Sequence, residues 1–200
     1  MSKTSGKSRG RPVGVARRQR PVEQDACANE HSASRLRGLA PVWNARVRVL
    51  VLGSFPGTAS LAAGQYYAYP RNHFWPILAA VLARPLVELS YAARLQALLA
   101  AGIGLWDVIV ACERSGSLDG AIRAPQWADP ADALRAAPRL TRVCFNGQTA
   151  AKAAFRWQQA GLATLGLPST SPAYTRPLAE KLAAWRAILN PVEHPPMPGS

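Results

Sequence analysis

The sequence predicts an α/β fold, a three-layer α/β/α sandwich around a short, mainly parallel, four-stranded central sheet. Three observations carry that expectation. Short runs rich in Val, Leu and Ile recur along the chain, and most end at a loop containing Gly, Pro or Ser. Amphipathic stretches bearing helix start and stop signals lie between them. The two kinds alternate, which favours parallel strands joined by helices that cover both faces of the sheet.

The ordered body is expected to begin near Val42, giving a basic disordered tail over 1–41, one domain over 42–190 and a flexible Pro-rich end over 191–200. Residues 46–53, RVRVLVLG, begin by alternating and become a continuous apolar run ending in glycine, as a buried parallel strand does. The Gly, Pro and Ser of 54–71 predict a long functional loop. Residues 72–83, NHFWPILAAVLA, read as a helix with Pro76 in the first turn, where a missing N–H costs little. Residues 90–102, SYAARLQALLAAG, are an amphipathic helix with Ser90 as N-cap and Gly102 as its stop.

Residues 103–112, IGLWDVIVAC, form the second strand candidate, and the polar loop ERSGSLDGAI follows. Residues 129–138, DPADALRAAP, predict a short helix capped by Asp129 with Pro130 at its first position. The third strand, TRVCFNG over 141–147, leads into a helix over 148–160. LATLGLPS over 162–169 is the fourth, followed by the loop TSPAYTR and a closing helix over 177–189.

Two hundred residues suit a single domain with one sizeable core. With 48% apolar residues the chain reads as soluble, and no apolar run approaches the roughly 20 residues of a membrane span. The net charge of +13 is concentrated at the start, where the first twenty residues hold seven Lys and Arg and no acid. That stretch reads as a solvated tail, with an organelle transit peptide as the alternative. It also adds a salt-sensitive attraction to phosphates, so nucleic acid is a plausible partner.

Cys27, Cys112 and Cys144 are widely spaced and odd in number, which argues against a disulfide framework or a four-thiolate cluster. A reducing cytoplasm fits, and no secretory signal is visible. His31 and His194 fall in the expected tails, so a zinc site or a Ser-His-Asp triad would have to be built around His73 alone.

Ligands of open α/β sheets bind at the carboxyl ends of the strands, which singles out the loops 53–72 and 168–176. GSFPG over 53–57 lacks the spacing of a dinucleotide or P-loop turn, yet a tight turn there exposes N–H groups of Ser54 and Phe55 to a base carbonyl. Tyr66, Tyr67 and Tyr69 offer flat faces for stacking, or padding for the sheet edge. Asn72 suits either an N-cap or an amide that holds a water or reads a base, while Phe74 and Trp75 read as core. In LPSTSPAYTR, Ser169, Thr170 and Ser171 suit phosphate oxygens, Tyr174 a wedge and Arg176 a charge clamp; a polar connection capping the last helix is the alternative.

Taken together, LVLGSFPG, YYAYPRNHFW, GLWDVIVACERSGSLDGAI, FNGQTA and LPSTSPAY resemble, in order, the uracil-DNA glycosylase superfamily, and most of all its hypoxanthine-DNA (deoxyinosine) glycosylase branch. The resemblance covers about 46–190. It implies a monofunctional DNA glycosylase of base-excision repair that flips deaminated bases, chiefly hypoxanthine and also uracil, and hydrolyses the N-glycosidic bond without metal or cofactor. It places the water-orienting role on Asn72, because Phe55 occupies the position where many relatives carry an acid or amide. It matches Tyr67 to the ring that stacks on the flipped base. Ser169 stands where other branches place His or Asn, and Tyr174 where an Asn is expected. It implies a monomer with DNA as partner and no membrane, working at the nucleoid of a bacterial cytoplasm. A mismatch-directed uracil or thymine glycosylase, and a non-catalytic DNA-binding module on the same fold, stay open as alternatives.

Overall fold

The computed structural model describes residues 35–191. The expected basic tail up to residue 34, with Cys27 and His31, and the Pro-rich end from 192, with His194, lie outside the described residues.

Four parallel strands form the main sheet: β2 (Val49–Gly53), β3 (Ile103–Asp107), β6 (Arg142–Asn146) and β7 (Ala163–Leu167), in the order β3-β2-β6-β7. A second, antiparallel sheet has the order β1-β4-β5, from β1 (Leu36–Arg37), β4 (Ile109–Glu113) and β5 (Arg123–Trp127). The helices are α1 (Thr58–Ala63), α2 (Phe74–Leu82), α3 (Tyr91–Ala100), α4 (Pro130–Ala136), α5 (Gln148–Ala151), α6 (Ala154–Gln159) and α7 (Leu178–Trp185). Three-layer packing follows from the strand period of two. Leu50, Leu52, Val143 and Phe145 enter one core with Ala133, Ala150 and Trp157 of α4, α5 and α6. Val51, Leu105 and Cys144 enter the other with Phe74, Leu98 and Trp185 of α2, α3 and α7.

Local chemistry sets the ends as expected at several places. Ser90 Oγ accepts from the N–H of Ala93, and Asp129 Oδ1 accepts from the N–H of Ala131, the second residue of a helix that starts on Pro130. Gly102, with φ +75°, takes the left-handed conformation just beyond α3.

The structure departs from the sequence reading in five places. Residues 103–112 are not one strand: the chain breaks at Val108, whose N–H bonds to Gly53 O, and the second half leaves the parallel sheet to pair with β1 and β5. An unbroken apolar run cannot show such a change of partner. Residues 36–41, assigned above to the tail, carry β1 and the Gly38 N–H bond to Val110 O; a two-residue strand has no periodicity to read. The expected loop over 54–71 contains α1, which ends at Gly64. Helix 148–160 is interrupted between α5 and α6, and helix 177–189 tightens to a 3₁₀ turn after Trp185.

Gly104 in β3 lies close under the preceding segment. A Cβ there would stand 2.9 Å from Val42 O and 3.1 Å from Val47 Cγ1. Gly104→Ala is therefore expected to destabilise the protein by about 1–3 kcal/mol, as overpacking does. An unchanged urea midpoint would contradict the close approach.

Candidate active site

A cleft of about 1270 Å³ opens at the carboxyl ends of the parallel strands. The turn after β2, the segment 66–72, the ends of β3 and β6 and the loop after β7 line it. Both loops singled out from the sequence thus reach one cavity.

The aromatic segment sorts its rings by burial. Tyr66 is buried, its hydroxyl donating to Leu39 O and Ala40 O, while Trp75 Nε1 donates to Tyr66 O. It is structural. Tyr69 is exposed and pairs with Arg71. Tyr67, between them, sits at φ 54° and lines the cleft. That conformation is costly for a bulky residue and is held by its surroundings. Its ring stacks on Phe74 with centroids 3.7 Å apart and planes at 16°. Phe74 is fully buried and packs edge-on against Trp75 and Trp185. One face of Tyr67 therefore rests on a rigid aromatic floor.

Asn72 stands at the rim where the chain enters α2. Its Oδ1 accepts from Phe74 N–H at 3.0 Å, and its backbone N–H donates to Tyr69 O. His73, one residue later than the sequence suggested, occupies the N-cap position. Half of the amide thus serves the helix start, and its Nδ2 donates to no protein group among the described residues.

The Ser54–Pro56 turn is clamped from the side. Ser54 Oγ donates to Asp119 Oδ1 at 2.7 Å, and Arg114 Nη2 donates to Pro56 O while its guanidinium lies 4.8 Å over the Phe55 ring. Phe55's side chain is buried, so only its backbone can face a ligand. The N–H groups of Ser54 and Phe55 bond to no loop or turn carbonyl among the described residues.

Asp107, absent from the sequence reading, lies at the floor. It ends β3 beside Gly53, and a Cβ on that glycine would collide with Asp107 Oδ1 and stand 3.3 Å from Tyr67 Oη. Asp107 is 5% exposed, and its Oδ2 and the Tyr67 hydroxyl are buried without a hydrogen-bond partner among the described residues. Desolvation, with Asp119 adding to it and Arg114 opposing, pushes the carboxyl up to about 8. The same burial pushes the Tyr67 hydroxyl above its ordinary range, with Asp107 adding to it and the nearby Asn146 amide opposing. A lone acid closing an apolar strand, GLWD, was the available signal.

The loop after β7 is tied down from inside. Thr170, expected above as a phosphate contact, is fully buried; its N–H donates to Asn146 Oδ1 at 2.8 Å and its hydroxyl accepts from Asn146 Nδ2 at 2.9 Å. Its carbonyl accepts from His73 N–H. A buried, bonded hydroxyl cannot reach a phosphate, so Thr170 is a structural residue. Ser169 and Ser171 are half-buried, and each Oγ accepts from the N–H two residues on. Lys181 of α7 is buried and donates to Ser171 O and Tyr174 O, with His73 Nδ1 3.5 Å away. Tyr174 is partly exposed at the rim, and Arg176, exposed, reaches both its ring and Glu180. Asn146 and Lys181 were also missed from the sequence, since each acts through partners distant in the chain.

The chain matches the family model described as the uracil DNA glycosylase superfamily over residues 40–192. It is 34% identical over 148 residues to a hypoxanthine DNA glycosylase of Methanosarcina barkeri, covering 74% of this chain and 94% of that protein. A hypoxanthine DNA glycosylase of Methanosarcina acetivorans is 33% identical over 152 residues, 76% of this chain and 96% of the relative. A solution NMR structure of a candidate uracil DNA glycosylase from M. acetivorans superposes with a TM-score of 0.69 at 31% identity, covering 78% of this chain and 99% of that one.

The Asp107 electrostatics predict a pH dependence of folding. A carboxyl raised from its ordinary 3.8 to about 8 contributes stability that is complete below pH 4 and lost as pH rises to 8. Asp107→Asn cannot ionise, so its stability relative to the wild type should rise between pH 4 and 8, by more than about 1 kcal/mol. Urea titrations at both pH values measure it, and a constant difference would contradict the raised carboxyl.

Proposed function

The chain belongs to the uracil DNA glycosylase superfamily, and from that membership we propose that it removes hypoxanthine, and to a lesser extent uracil, from DNA by hydrolysing the N-glycosidic bond. It is a DNA glycosylase, a hydrolase of N-glycosyl bonds acting on deaminated bases. The observation that carries the substrate reading is the stack of buried Phe74 under Tyr67, opening on a cleft with Asn72 at its rim.

The chemistry follows from that arrangement. Extruding a base costs a few kcal/mol, least where pairing is already weak, as at deaminated bases. Stacking on Tyr67 offsets part of that cost, and the Phe74 floor keeps the ring in place without further loss of freedom. Bond cleavage passes through an oxocarbenium-like sugar with negative charge growing on the base. Preorganised donors stabilise that charge: the free N–H groups of Ser54 and Phe55, and the remaining Nδ2 hydrogen of Asn146. Asn72 holds the attacking water through its unshared Nδ2 and the second lone pair of Oδ1. Ser169, Ser171, Tyr174 and Arg176 hold the opened strand at the rim, Tyr174 by contact with exposed bases and Arg176 by charge. No step requires a metal or cofactor.

A monomer is the working unit we propose. No described helix is long and apolar enough to cross a membrane. A cytoplasmic enzyme working on the nucleoid is the location we propose; both relatives named above are archaeal, so a bacterial source draws no support from them.

A panel of duplex and single-stranded oligonucleotides carrying inosine, uracil or xanthine tests the proposal, with abasic sites as readout. Release of hypoxanthine is expected to be fastest; DNA binding without release of any base would support the non-catalytic alternative instead. Asn72→Ala should lower the single-turnover rate by about 100-fold or more with little change in DNA affinity. Because Asn72 also bonds to Phe74 N–H, its melting temperature is followed in parallel. Tyr67→Leu should weaken productive binding by about 5- to 150-fold, the equivalent of about 1–3 kcal/mol of base stacking. Normal release by Asn72→Ala would remove it from the water-placing role.

A further inference from the structure

We propose that Asp107 is a second catalytic group, a neutral carboxylic acid at the cleft floor that gives its proton to the leaving base. The inference rests on the glycosylase reading above. Its footing is geometric. Asp107 ends β3 level with Gly53, the last residue of β2, and both line the cleft. The missing Cβ of Gly53 leaves room for the carboxyl and for the Tyr67 hydroxyl, which converge on that position from different elements. Both Oδ2 and Tyr67 Oη are buried without a protein partner among the described residues, and both residues line the cleft. Unpaired buried polar groups are costly, so two of them converging beside one cavity mark the place of a missing polar ligand. A base stacked on the Tyr67 ring brings its polar edge to that place.

The charged and titratable surroundings keep the acid protonated. Asp119 faces it from the turn after β4, Arg114 from the end of β4, and Tyr66 and Tyr67 from the segment after α1. β2 contributes only uncharged Gly53. Arg114 gives Nη2 to Pro56 O and lies over the face of Phe55, its Nε and Nη1 bond to no group among the described residues, and its own burial pulls it down. Burial therefore prevails over the one cation, and the carboxyl stays neutral up to about pH 8.

The step balances without an added reactant. The C1′–N bond breaks and its electron pair goes to the base. The Asp107 O–H proton moves to an acceptor atom of the base, which leaves neutral instead of as an anion. Water forms the new C1′–O bond and sheds one proton, and solvent returns one to the Asp107 carboxylate. Asn72 has no proton to lend, and Asp107 is the one buried carboxyl among the described residues.

The test is single-turnover release of hypoxanthine from inosine-containing duplex by the full chain, from pH 5.5 to 9.5. The wild-type rate is expected to fall as pH rises through about 8, while DNA affinity changes little. Asp107→Asn, which keeps shape and a donor but no transferable proton, should lose about 100-fold or more in rate and show no alkaline fall. A wild-type rate flat to pH 9.5, or an Asn variant as fast as the wild type, overturns the proposal. Should that variant fail to fold, the carboxyl ¹³C resonance of Asp107 in the wild type decides: titration above pH 7 supports it, and ionisation by pH 6 overturns it. Absence of base release by the wild type at every pH would instead overturn the glycosylase reading, which the carboxyl titration alone does not touch.

Discussion

The three hydrogen bonds of Thr170 hold the site together. Its N–H and hydroxyl exchange bonds with the Asn146 amide at the end of β6, and its carbonyl receives the N–H of His73 at the start of α2. One fully buried residue thereby joins the loop after β7, the edge of the sheet and the helix that carries Phe74. Unmade hydrogen bonds to buried groups cost more than made ones gain, so the three elements move as one or not at all. Asn72, one residue before His73, inherits its position from that knot. The loop beyond it is fixed by a second buried donor: Lys181 has no acid partner in its hydrogen bonds and instead satisfies the carbonyls of Ser171 and Tyr174. Without Lys181, the rim that carries Tyr174 would have only its own short turns to shape it.

The same geometry explains how far the sequence could be read. Apolar runs and capping residues report local facts, and so the four parallel strands, the Ser90 and Asp129 caps and the left-handed Gly102 were all legible. The break at Val108 was not, because it changes only the partner of the strand and not its composition. Thr170 was misassigned for a related reason. A threonine in a polar loop has the same sequence signature whether it meets a phosphate or a buried amide, and only the position of Asn146, 24 residues away, decides between them. Asn72 illustrates the intermediate case. The two uses weighed from sequence, helix cap and site amide, are not exclusive, since the amide has two ends and Phe74 N–H occupies one lone pair of one of them.

The aromatic segment shows how burial turns similar residues to different ends. Tyr66, Tyr67 and Tyr69 are equivalent by composition and all border the cleft, yet one is sealed into the core, one stacks on Phe74 and one pairs with an arginine at the surface. The left-handed backbone at Tyr67 makes this partition. The cost of that backbone is offset by the 3.7 Å stack and by the wall of Trp75 and Trp185 behind it. The ring is therefore preorganised, and a base arriving against it needs to order little besides itself.

A preorganised stack has a chemical corollary at the floor. On the proposed reading, a base stacked on Tyr67 leaves as an electron-rich fragment, and the sheet edge beneath it holds an acid rather than a base. Had Asp107 been ionised, its charge would oppose the charge growing on the departing ring and favour the sugar cation only at a distance. Neutral, it opposes nothing, and its dipole and proton point to the same demand as the backbone donors of Ser54 and Phe55. The neutral state is in turn maintained by the burial that the two cores impose on the strand ends, because an exposed aspartate beside Arg114 would ionise. Packing of apolar side chains on both faces of a four-stranded sheet thus sets a protonation state at its edge, and that state is what suits the site to a leaving base.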